Sequence, residues 1–239
     1  MTLDNDFARL SDFEPMKAEL TGIRQHLHAN PELSFEEAET ARFVAEKLEA
    51  WGYEVTRNVG GHGVVARMTV GAGKKSIGIR ADMDALPITE QTGRPYASKT
   101  PGKMHACGHD GHTTMLLGAA EYLARTRRFN GTVNLIFQPA EEAGAVSGAT
   151  AMIKDGLFQK FPCDEIYGLH NAPDLNHGEI AVLPGPAMAS STSTPVGLVT
   201  VSVLELMAAV TTAETRRQGV CRRSTGAMDP SVQQSCPGH

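Results

Sequence analysis

Signals for helices and for strands alternate along the first 190 residues, and this alternation limits the folds that the chain can adopt. Apolar residues recur every three or four positions in some segments, whereas β-branched and apolar residues run together in others. Helices are predicted at residues 14–29, 112–125 and 149–155, and strands at residues 53–57, 64–70, 76–80, 132–138 and 165–170. Strands that alternate with helices predict an α/β fold, in which helices flank a mostly parallel sheet.

Two local patterns add detail to this prediction. Ser34 and Glu37 have the spacing of a capping box, which indicates the start of a further helix that ends near residue 51. The glycine-rich residues 71–73 separate two of the predicted strands, and they predict that these two strands form a hairpin.

Composition and charge exclude several classes of function. Apolar residues make up 41% of the 239 residues and charged residues 21%, as in ordinary globular proteins and unlike disordered chains. The formal net charge of −5 gives no electrostatic reason to bind nucleic acid or an anionic membrane. The apolar-rich segment 196–210 is shorter than the roughly 18–20 residues that a membrane span needs. We therefore expect neither a nucleic-acid partner nor a membrane partner.

The cysteines and the first residues indicate where such a chain works. Four cysteines over this length do not make a disulfide scaffold. The first six residues are polar and acidic with no apolar core behind them, which is unlike a signal peptide. Together these features predict a cytoplasmic protein.

Polar side chains stand where several predicted strands end. Asp82 and Asp84 follow one strand, Glu141 and Glu142 follow another, and His170 closes the last. Because ligands bind at the carboxyl ends of the strands in open α/β sheets, these segments are expected to meet in one crevice.

A fourth polar group, Cys107-Gly108-His109 with His112 close behind, precedes a predicted helix. Thiolate, imidazole and carboxylate groups together suit a borderline-soft divalent ion such as Zn²⁺, or Mn²⁺ or Co²⁺ where carboxylates dominate. The sequence therefore predicts a metal site.

Each of these residues also has an ordinary explanation when it is taken alone. Cys107 could be a small buried apolar residue, and Glu141-Glu142 could be a solvated surface pair. Cys107 could also act as the nucleophile of a cysteine hydrolase, with His109 or His112 as its base. That alternative leaves the acids at the other strand ends without a task, so their joint recurrence favours the metal site.

The adjacent acids Glu141 and Glu142 could take two different roles at such a site. Neighbouring loop residues project in different directions, so one carboxylate can bind a metal ion while the other faces a water molecule. A bound ion lowers the pKa of water to about 7, and a carboxylate that accepts its proton adds about 10²–10⁴-fold in rate. These groups are the equipment for metal-assisted hydrolysis of an amide.

Four motifs of the chain resemble those of a known enzyme family. They are Arg80-Ala81-Asp82-Met83-Asp84-Ala85-Leu86-Pro87, Met104-His105-Ala106-Cys107-Gly108-His109-Asp110-Gly111-His112, Gln138-Pro139-Ala140-Glu141-Glu142 and Gly168-Leu169-His170-Asn171. They resemble the metal-dependent amidohydrolases of the aminoacylase and carboxypeptidase-like superfamily, and most closely the branch of hippurate, N-acyl-amino-acid and indole-acetyl-amino-acid hydrolases. The resemblance runs from about residue 23, through Pro31-Glu32-Leu33-Ser34-Phe35-Glu36-Glu37, to residue 189, and it implies the N-terminal part of a zinc-peptidase-like catalytic domain.

The resemblance implies a centre with two divalent metal ions (Zn²⁺, Mn²⁺ or Co²⁺). By motif, the metal ligands would be Cys107, His109, Glu142 and His170. Glu141 would be the general base, which activates water and then protonates the departing amine.

Further residues are implied as support for these groups. Asp84 matches the acid that holds a ligand from behind, and such partners tune both ligand geometry and metal affinity. Asp82 and His112 are expected to be structural support. The implied substrate is an N-acyl amino acid such as hippurate, which would give a carboxylic acid and a free amino acid.

The resemblance stops near residue 189, so we expect two regions: residues 1–189 as part of the catalytic domain, and residues 190–239 as a poorly ordered tail unlike the family. The family's lid and dimerisation domain, with the dimer it makes, and one further histidine ligand have no counterpart in that tail. A shifted reading frame near residue 190 or a truncated gene would explain this, and the chain would then be impaired in hydrolysis. A metallo-dipeptidase or carboxypeptidase and a catalytically dead metal-binding fragment remain alternatives.

Overall fold

A computed structural model describes residues 8–173 and 175 of the chain. Five α-helices lie in this part: α1 Lys17–Ala29, α2 Ala38–Ala50, α3 His109–Thr126, α4 Gly148–Lys154 and α5 Leu157–Lys160. Five strands accompany them: β1 Glu54–Val59, β2 Gly63–Val70, β3 Ser76–Asp82, β4 Gly131–Gln138 and β5 Glu165–Gly168. Short 3₁₀ turns occur at Leu10–Asp12, Glu14–Met16 and Gly144–Val146.

The five strands form one sheet in the order β1-β2-β4-β3-β5. β3 pairs in parallel with both β4 and β5, whereas β2 is antiparallel to β1 and to β4. Four of the five strands therefore run in one direction, and β2 runs against them. This arrangement confirms the α/β class and the mostly parallel sheet, with one reversed strand that makes the sheet mixed.

The predicted hairpin between β2 and β3 is wrong. β4 lies between these two strands, and the hairpin of the described sheet joins β1 to β2 instead. The connection from β2 to β3 crosses over the beginning of β4, where the Gly73 N–H donates to Asn130 Oδ1 at 2.7 Å. A Cβ on Gly73 would lie 2.3 Å from the Asn130 carbonyl oxygen, so glycine here permits a close crossing.

The predicted capping box is also wrong. α2 begins at Ala38, and the backbone N–H groups of its first turn donate to a different side chain, that of Glu32, over 3.2 and 2.7 Å. Ser34 and Glu37 point towards the strand ends instead, where they bond to Asp84 and to the backbone of residue 140. The two residues with capping-box spacing therefore bond to residues distant in sequence and not to the helix that follows them.

The remaining elements are close to their predicted bounds, except that one helix begins earlier and one further short helix is present. α3 begins at His109, three residues earlier than predicted, and its N-cap Gly108 has a φ of +97°. α5 has only four residues, too few for the sequence to show a helical repeat.

Alternate residues of β4 face two apolar layers. Leu135 and Phe137 pack with Leu117 and other residues of α1, α2 and α3 on one face of the sheet. Ile136 packs with Met152 and the residues near α4 and α5 on the other. Helices thus cover both faces, and the central strands can be apolar throughout.

Two of the sequence predictions concern membrane association and the boundary near residue 189. Within the described residues, no helix combines the length and the apolar character that a bilayer crossing requires. The predicted boundary at residue 189 and the tail 190–239 lie outside the described residues, so that division stays a prediction.

Two glycines give a matched test of the packing. A Cβ at Gly148 would lie 1.9 Å from the Pro139 carbonyl oxygen, so Gly148→Ala should lower the free energy of unfolding by about 1–3 kcal/mol. Gly22 lies in α1, and apart from its chain neighbours and the backbone of its own helix no atom of the described residues is within 4 Å of its Cβ position, so Gly22→Ala should raise the free energy of unfolding by about 0.5–1 kcal/mol. Urea unfolding followed by circular dichroism measures both changes. Equal effects of the two substitutions would contradict the backbone contact at Gly148.

Candidate metal centre

The parallel strands end at one edge of the sheet, and the predicted site residues lie there. Asp82 closes β3 and pairs with Gln138, the last residue of β4. The acids after β4 and the histidine after β5 continue from the same edge, and the beginning of α3 faces them. The structure thus brings together all eight residues that the sequence singled out: Asp82, Asp84, Cys107, His109, His112, Glu141, Glu142 and His170.

His109 lies at the centre of this group and is fully buried. Its Nδ1 is 2.9 Å from the Asp84 carbonyl oxygen and 3.1 Å from Asp84 Oδ1. Both of these atoms are acceptors, so Nδ1 donates and the lone pair of the neutral ring is on Nε2. Nε2 has no hydrogen-bond partner among the described residues, although carboxylate oxygens of Asp82, Glu141 and Glu142 lie 3.6, 3.9 and 3.9 Å away.

Asp84 holds two of the other groups in place. Its Oδ2 accepts the Ser34 hydroxyl at 2.7 Å and the Glu142 backbone N–H at 2.9 Å, while Oδ1 faces His109. Burial alone would raise the pKa of Asp84, but the hydrogen bonds from His109 and Ser34 outweigh it and lower that pKa. Asp84 is therefore an ionised acceptor that orients His109 and Glu142.

Asp82 and His112 form a second buried pair behind His109. His112 Nδ1 lies 2.6 Å from Asp82 Oδ1, and its Nε2 lies 2.7 Å from the side-chain oxygen of Asn171. Arg80 donates to the other Asp82 oxygen at 2.6 Å. Burial opposes ionisation of Asp82, but the Arg80 charge and the two histidines hold its pKa well below the ordinary value. Both ring nitrogens of His112 already have protein partners, which is compatible with the structural role that the resemblance implies.

Cys107 and His170 close another side of the site. Cys107 Sγ lies 3.4 Å from His170 Nε2, and the donor atoms of Cys107, His109 and His170 all lie within 4.8 Å of one another. Gly108 makes this approach possible, because a Cβ there would lie 2.5 Å from the side-chain oxygen of Asn171. The Cys-Gly-His turn thus places a thiol and an imidazole side by side.

Glu141 and Glu142 approach the same point from the loop after β4. One carboxylate oxygen of each lies 3.9 Å from His109 Nε2, and both side chains are partly exposed to solvent. The sequence suggested that the two side chains project in different directions, but their tips converge on His109. Both carboxylates are thus available to one ligand.

The charge of the site fits a bound cation. Four carboxylates, those of Asp82, Asp84, Glu141 and Glu142, crowd His109, and burying such charges without a counter-charge is unfavourable. Burial lowers the pKa of His109, but the hydrogen bond to Asp84 and the surrounding carboxylates raise it above its ordinary value. The surrounding carboxylates thus favour positive charge at this point of the site. The unpartnered Nε2 and the mixed donors match a metal site.

The thiol of Cys107 does not have the properties of a nucleophile. Burial, together with the carboxylates of Glu142, Asp82 and Glu141, raises the pKa of Cys107 to about 12. Reactive cysteines have pKa values below that of a free thiol and lie in electropositive surroundings. The cysteine-hydrolase alternative therefore has no support from this geometry.

Comparison with known proteins assigns the chain to a family. Residues 78–234 match the family model described as peptidase family M20/M25/M40, which is more than half of the chain. The chain belongs to this family. The M20/M25/M40 assignment confirms the resemblance that the sequence motifs carried.

Individual relatives agree with the family assignment. The chain is 52% identical over 178 residues to a hippurate hydrolase of Campylobacter jejuni, which covers 74% of this chain and 46% of that protein. It is 45% identical to an N-acetyl-L-cysteine deacetylase of Bacillus subtilis, covering 79% of this chain and 46% of the relative. Among solved structures, the YXEP protein of Bacillus subtilis, a dinuclear metal-binding peptidase of family M20, has a TM-score of 0.67 at 43% identity and covers 72% of this chain and 48% of that one.

The chain spans about half the length of the curated relatives that it matches. The described residues share the fold of the corresponding part of the M20 structure.

Sequence reasoning missed four residues that shape the site in this M20/M25/M40 member. The spacing of Ser34 and Glu37 suggests a helix cap, and the family motifs that contain Arg80 and Asn171 assign these two residues no role. Arg80 and Asn171 lie close to predicted site residues in the sequence, and this position is a usable signal. Ser34 and Glu37 gave no such signal, because they lie more than 45 residues away from the residues they contact.

The raised pKa of Cys107 predicts slow alkylation of the metal-free protein. At pH 8, with a chelator present, iodoacetamide should modify Cys107 about 50-fold more slowly than free N-acetylcysteine, since the loss of thiolate outweighs its greater nucleophilicity. Peptide mapping by mass spectrometry measures the rate. Glu142→Gln removes one of the charges that raise the pKa, so it should accelerate the reaction. Alkylation as fast as that of the free thiol would contradict a raised pKa of Cys107.

Proposed function

We propose that this site binds two divalent metal ions and that the protein hydrolyses the amide bond of N-acyl amino acids such as hippurate. The observation that carries the proposal is His109 Nε2, a buried lone pair without a partner among the described residues, surrounded by carboxylates at 3.6–3.9 Å. A dinuclear metal-binding relative of the same fold and hydrolases of N-acyl amino acids at 45–52% identity support it.

Four side chains would hold the ions. Cys107, His109 and His170 offer a thiolate and two imidazoles whose donor atoms lie within 4.8 Å of one another, and Glu142 adds a carboxylate oxygen 3.9 Å from His109 Nε2. Asp84 would keep two of these ligands in position, since it bonds both His109 Nδ1 and the Glu142 N–H. Binding would release the thiol proton of Cys107, so affinity should increase with pH.

Glu141 would move the proton during hydrolysis. Bound divalent ions would polarise the acyl carbonyl and lower the pKa of the attacking water. The Glu141 carboxylate would accept the proton that this water loses and would then donate it to the amide nitrogen as the C–N bond breaks. Burial raises the pKa of Glu141, although the nearby Arg80 charge opposes it, and a higher pKa makes the carboxylate a stronger base.

Peptide hydrolysis is the second candidate function. The family description names peptidases, and an amide between two amino acids presents the same reacting atoms as an N-acyl amino acid. A dipeptide series tested beside hippurate and N-acetyl amino acids therefore distinguishes an acyl-amino-acid hydrolase from a dipeptidase or carboxypeptidase.

The metal and the location complete the proposal. A site with one thiolate, two imidazoles and carboxylates suits Zn²⁺, Mn²⁺ or Co²⁺. Cys107 and Cys163 are free thiols, which fits the reducing cytoplasm. Dimerisation, the absence of a nucleic-acid partner and a small-molecule substrate stay predictions.

Glu141→Gln tests the proposed chemistry. This substitution keeps the size of the side chain but removes the proton acceptor, so kcat on hippurate should fall by about 10²–10⁴-fold while metal affinity changes little. Steady-state assays with Zn²⁺, Mn²⁺ or Co²⁺ measure kcat, and calorimetric titration of the same preparations measures the affinity. Glu54→Gln is the matched control, because Glu54 is an exposed acid of β1.

Three results would contradict the proposed function in whole or in part. The first is a wild-type chain that binds none of these ions in the titration. The second is hydrolysis that Glu141→Gln leaves unchanged, because a water-activating carboxylate would then lie elsewhere. Metal binding without turnover in the wild-type chain would leave a metal-binding protein and overturn the catalytic part.

A further inference from the structure

The segment Pro31-Glu32-Leu33-Ser34-Phe35-Glu36-Glu37 takes no part in the proposed chemistry, yet it contains a fully buried acid. Glu37 has no exposed surface, and its Oε1 accepts the Ala140 backbone N–H at 2.7 Å. Its Oε2 has no hydrogen-bond partner among the described residues. Burying a carboxyl group with one unpartnered oxygen is unfavourable, and the hydrogen bond from the Ala140 N–H offsets part of that free energy.

The bond partner of Glu37 is a strained residue. Ala140 has a φ of +48°, in the left-handed region where a residue with a Cβ is less stable by roughly 1–2 kcal/mol. Its N–H is bound by Glu37 and its carbonyl oxygen accepts the Gly148 N–H at 2.9 Å. Both peptide groups of Ala140 are therefore anchored, and these anchors favour the strained conformation.

The next two residues after Ala140 are Glu141 and Glu142. A change of backbone angle at Ala140 would swing both carboxylates away from His109 Nε2, which they now approach at 3.9 Å. The left-handed conformation thus determines where the tips of the two acids lie.

The same segment anchors the far side of this pair. The Ser34 hydroxyl donates to Asp84 Oδ2 at 2.7 Å, and the Glu142 N–H donates to that same oxygen at 2.9 Å. The Glu32 carbonyl accepts the Ala85 N–H at 2.8 Å, which fixes the segment to the strand end. Residues 32–37 therefore contact Ala140 directly, before Glu141, and reach Glu142 through Asp84.

We propose that Glu37 is a positioning residue for the Glu141–Glu142 pair: its buried carboxyl group holds Ala140 in the left-handed conformation and so aims both acids at the metal centre. The roles of Glu141 and Glu142 as base and ligand rest on the proposed function, whereas the effect of Glu37 on Ala140 does not.

Substitutions at Glu37 separate its bonding from its bulk. Glu37→Ala removes the acceptor and leaves the Ala140 N–H buried without a partner. Glu37→Gln keeps an acceptor oxygen in a side chain of nearly the same shape. Glu36→Gln is the control, because Glu36 is an exposed neighbour that pairs with Lys103 at 2.7 Å outside the site.

Two measurements report the effect on the full-length chain. Co²⁺ titration followed by visible absorption should show affinity reduced about 10–100-fold in Glu37→Ala, less than threefold in Glu37→Gln and not at all in Glu36→Gln. Amide hydrogen exchange by NMR in the metal-free protein should show the Ala140 N–H protected in all of these proteins except Glu37→Ala. Where hydrolysis is measurable, kcat should fall in Glu37→Ala with KM little changed.

A second substitution tests the backbone conformation itself. Glycine adopts positive φ without strain, so Ala140→Gly added to Glu37→Ala should recover at least a third of the wild-type Co²⁺ affinity. Failure of this rescue in a folded double variant would overturn the proposal, because a role confined to filling space would not respond to the change at residue 140.

The remaining outcomes are also decisive. Wild-type Co²⁺ affinity in a folded Glu37→Ala would overturn the proposal, as would a tenfold loss in Glu37→Gln. If Glu37→Ala does not fold, Glu37→Gln still tests the proposal through its Co²⁺ affinity and through the hydrogen-exchange protection of the Ala140 N–H. A wild-type chain that binds no Co²⁺ would refute the proposed function, while exchange at Ala140 would still test the action of Glu37.

Discussion

The parallel pairing of β3 with β4 on one side and β5 on the other is the constraint on which the rest of the structure depends. Neighbouring strands in a sheet lie about 4.8 Å apart, so residues that follow three parallel strands must meet even when dozens of residues separate them in sequence. Asp84 can therefore bond both the imidazole of His109 and the backbone of Glu142. A shift of one residue in either pairing would turn the side chains of the shifted strand to the opposite face of the sheet.

The same convergence gathers negative charge in a buried place, and the neighbouring residues accommodate it in distinct ways. Arg80 compensates Asp82 by direct contact, and hydrogen bonds from Ser34 and His109 keep Asp84 ionised. The partly exposed Glu141 and Glu142 lack such full compensation and face His109 Nε2. Polar groups that lack partners at one point of a fold, while the neighbouring polar groups have theirs, are typical of a ligand site.

The strand ends and the Cys-Gly-His turn could be predicted because their signals are local: an apolar run stops and a charged residue follows. Asp82 and Glu141 were found in this way, and the α/β class followed from the order of the elements. The β2–β3 hairpin and the Ser34–Glu37 cap failed because local spacing was satisfied while a distant segment supplied the partner, β4 in one case and Asp84 or Ala140 in the other. A sequence read alone carries no sign of such long-range contacts.

The position of β4 between β2 and β3 has a consequence for the order in which the molecule can assemble. The β1–β2 hairpin is local and can form as soon as it leaves the ribosome, but β3 must wait for a partner that begins about fifty residues later. Until β4 is synthesised, the apolar side chains of Ile77 and Ile79 have no strand beside them on either edge. During that interval the nascent chain is exposed to misassociation, and chaperones are expected to engage it there.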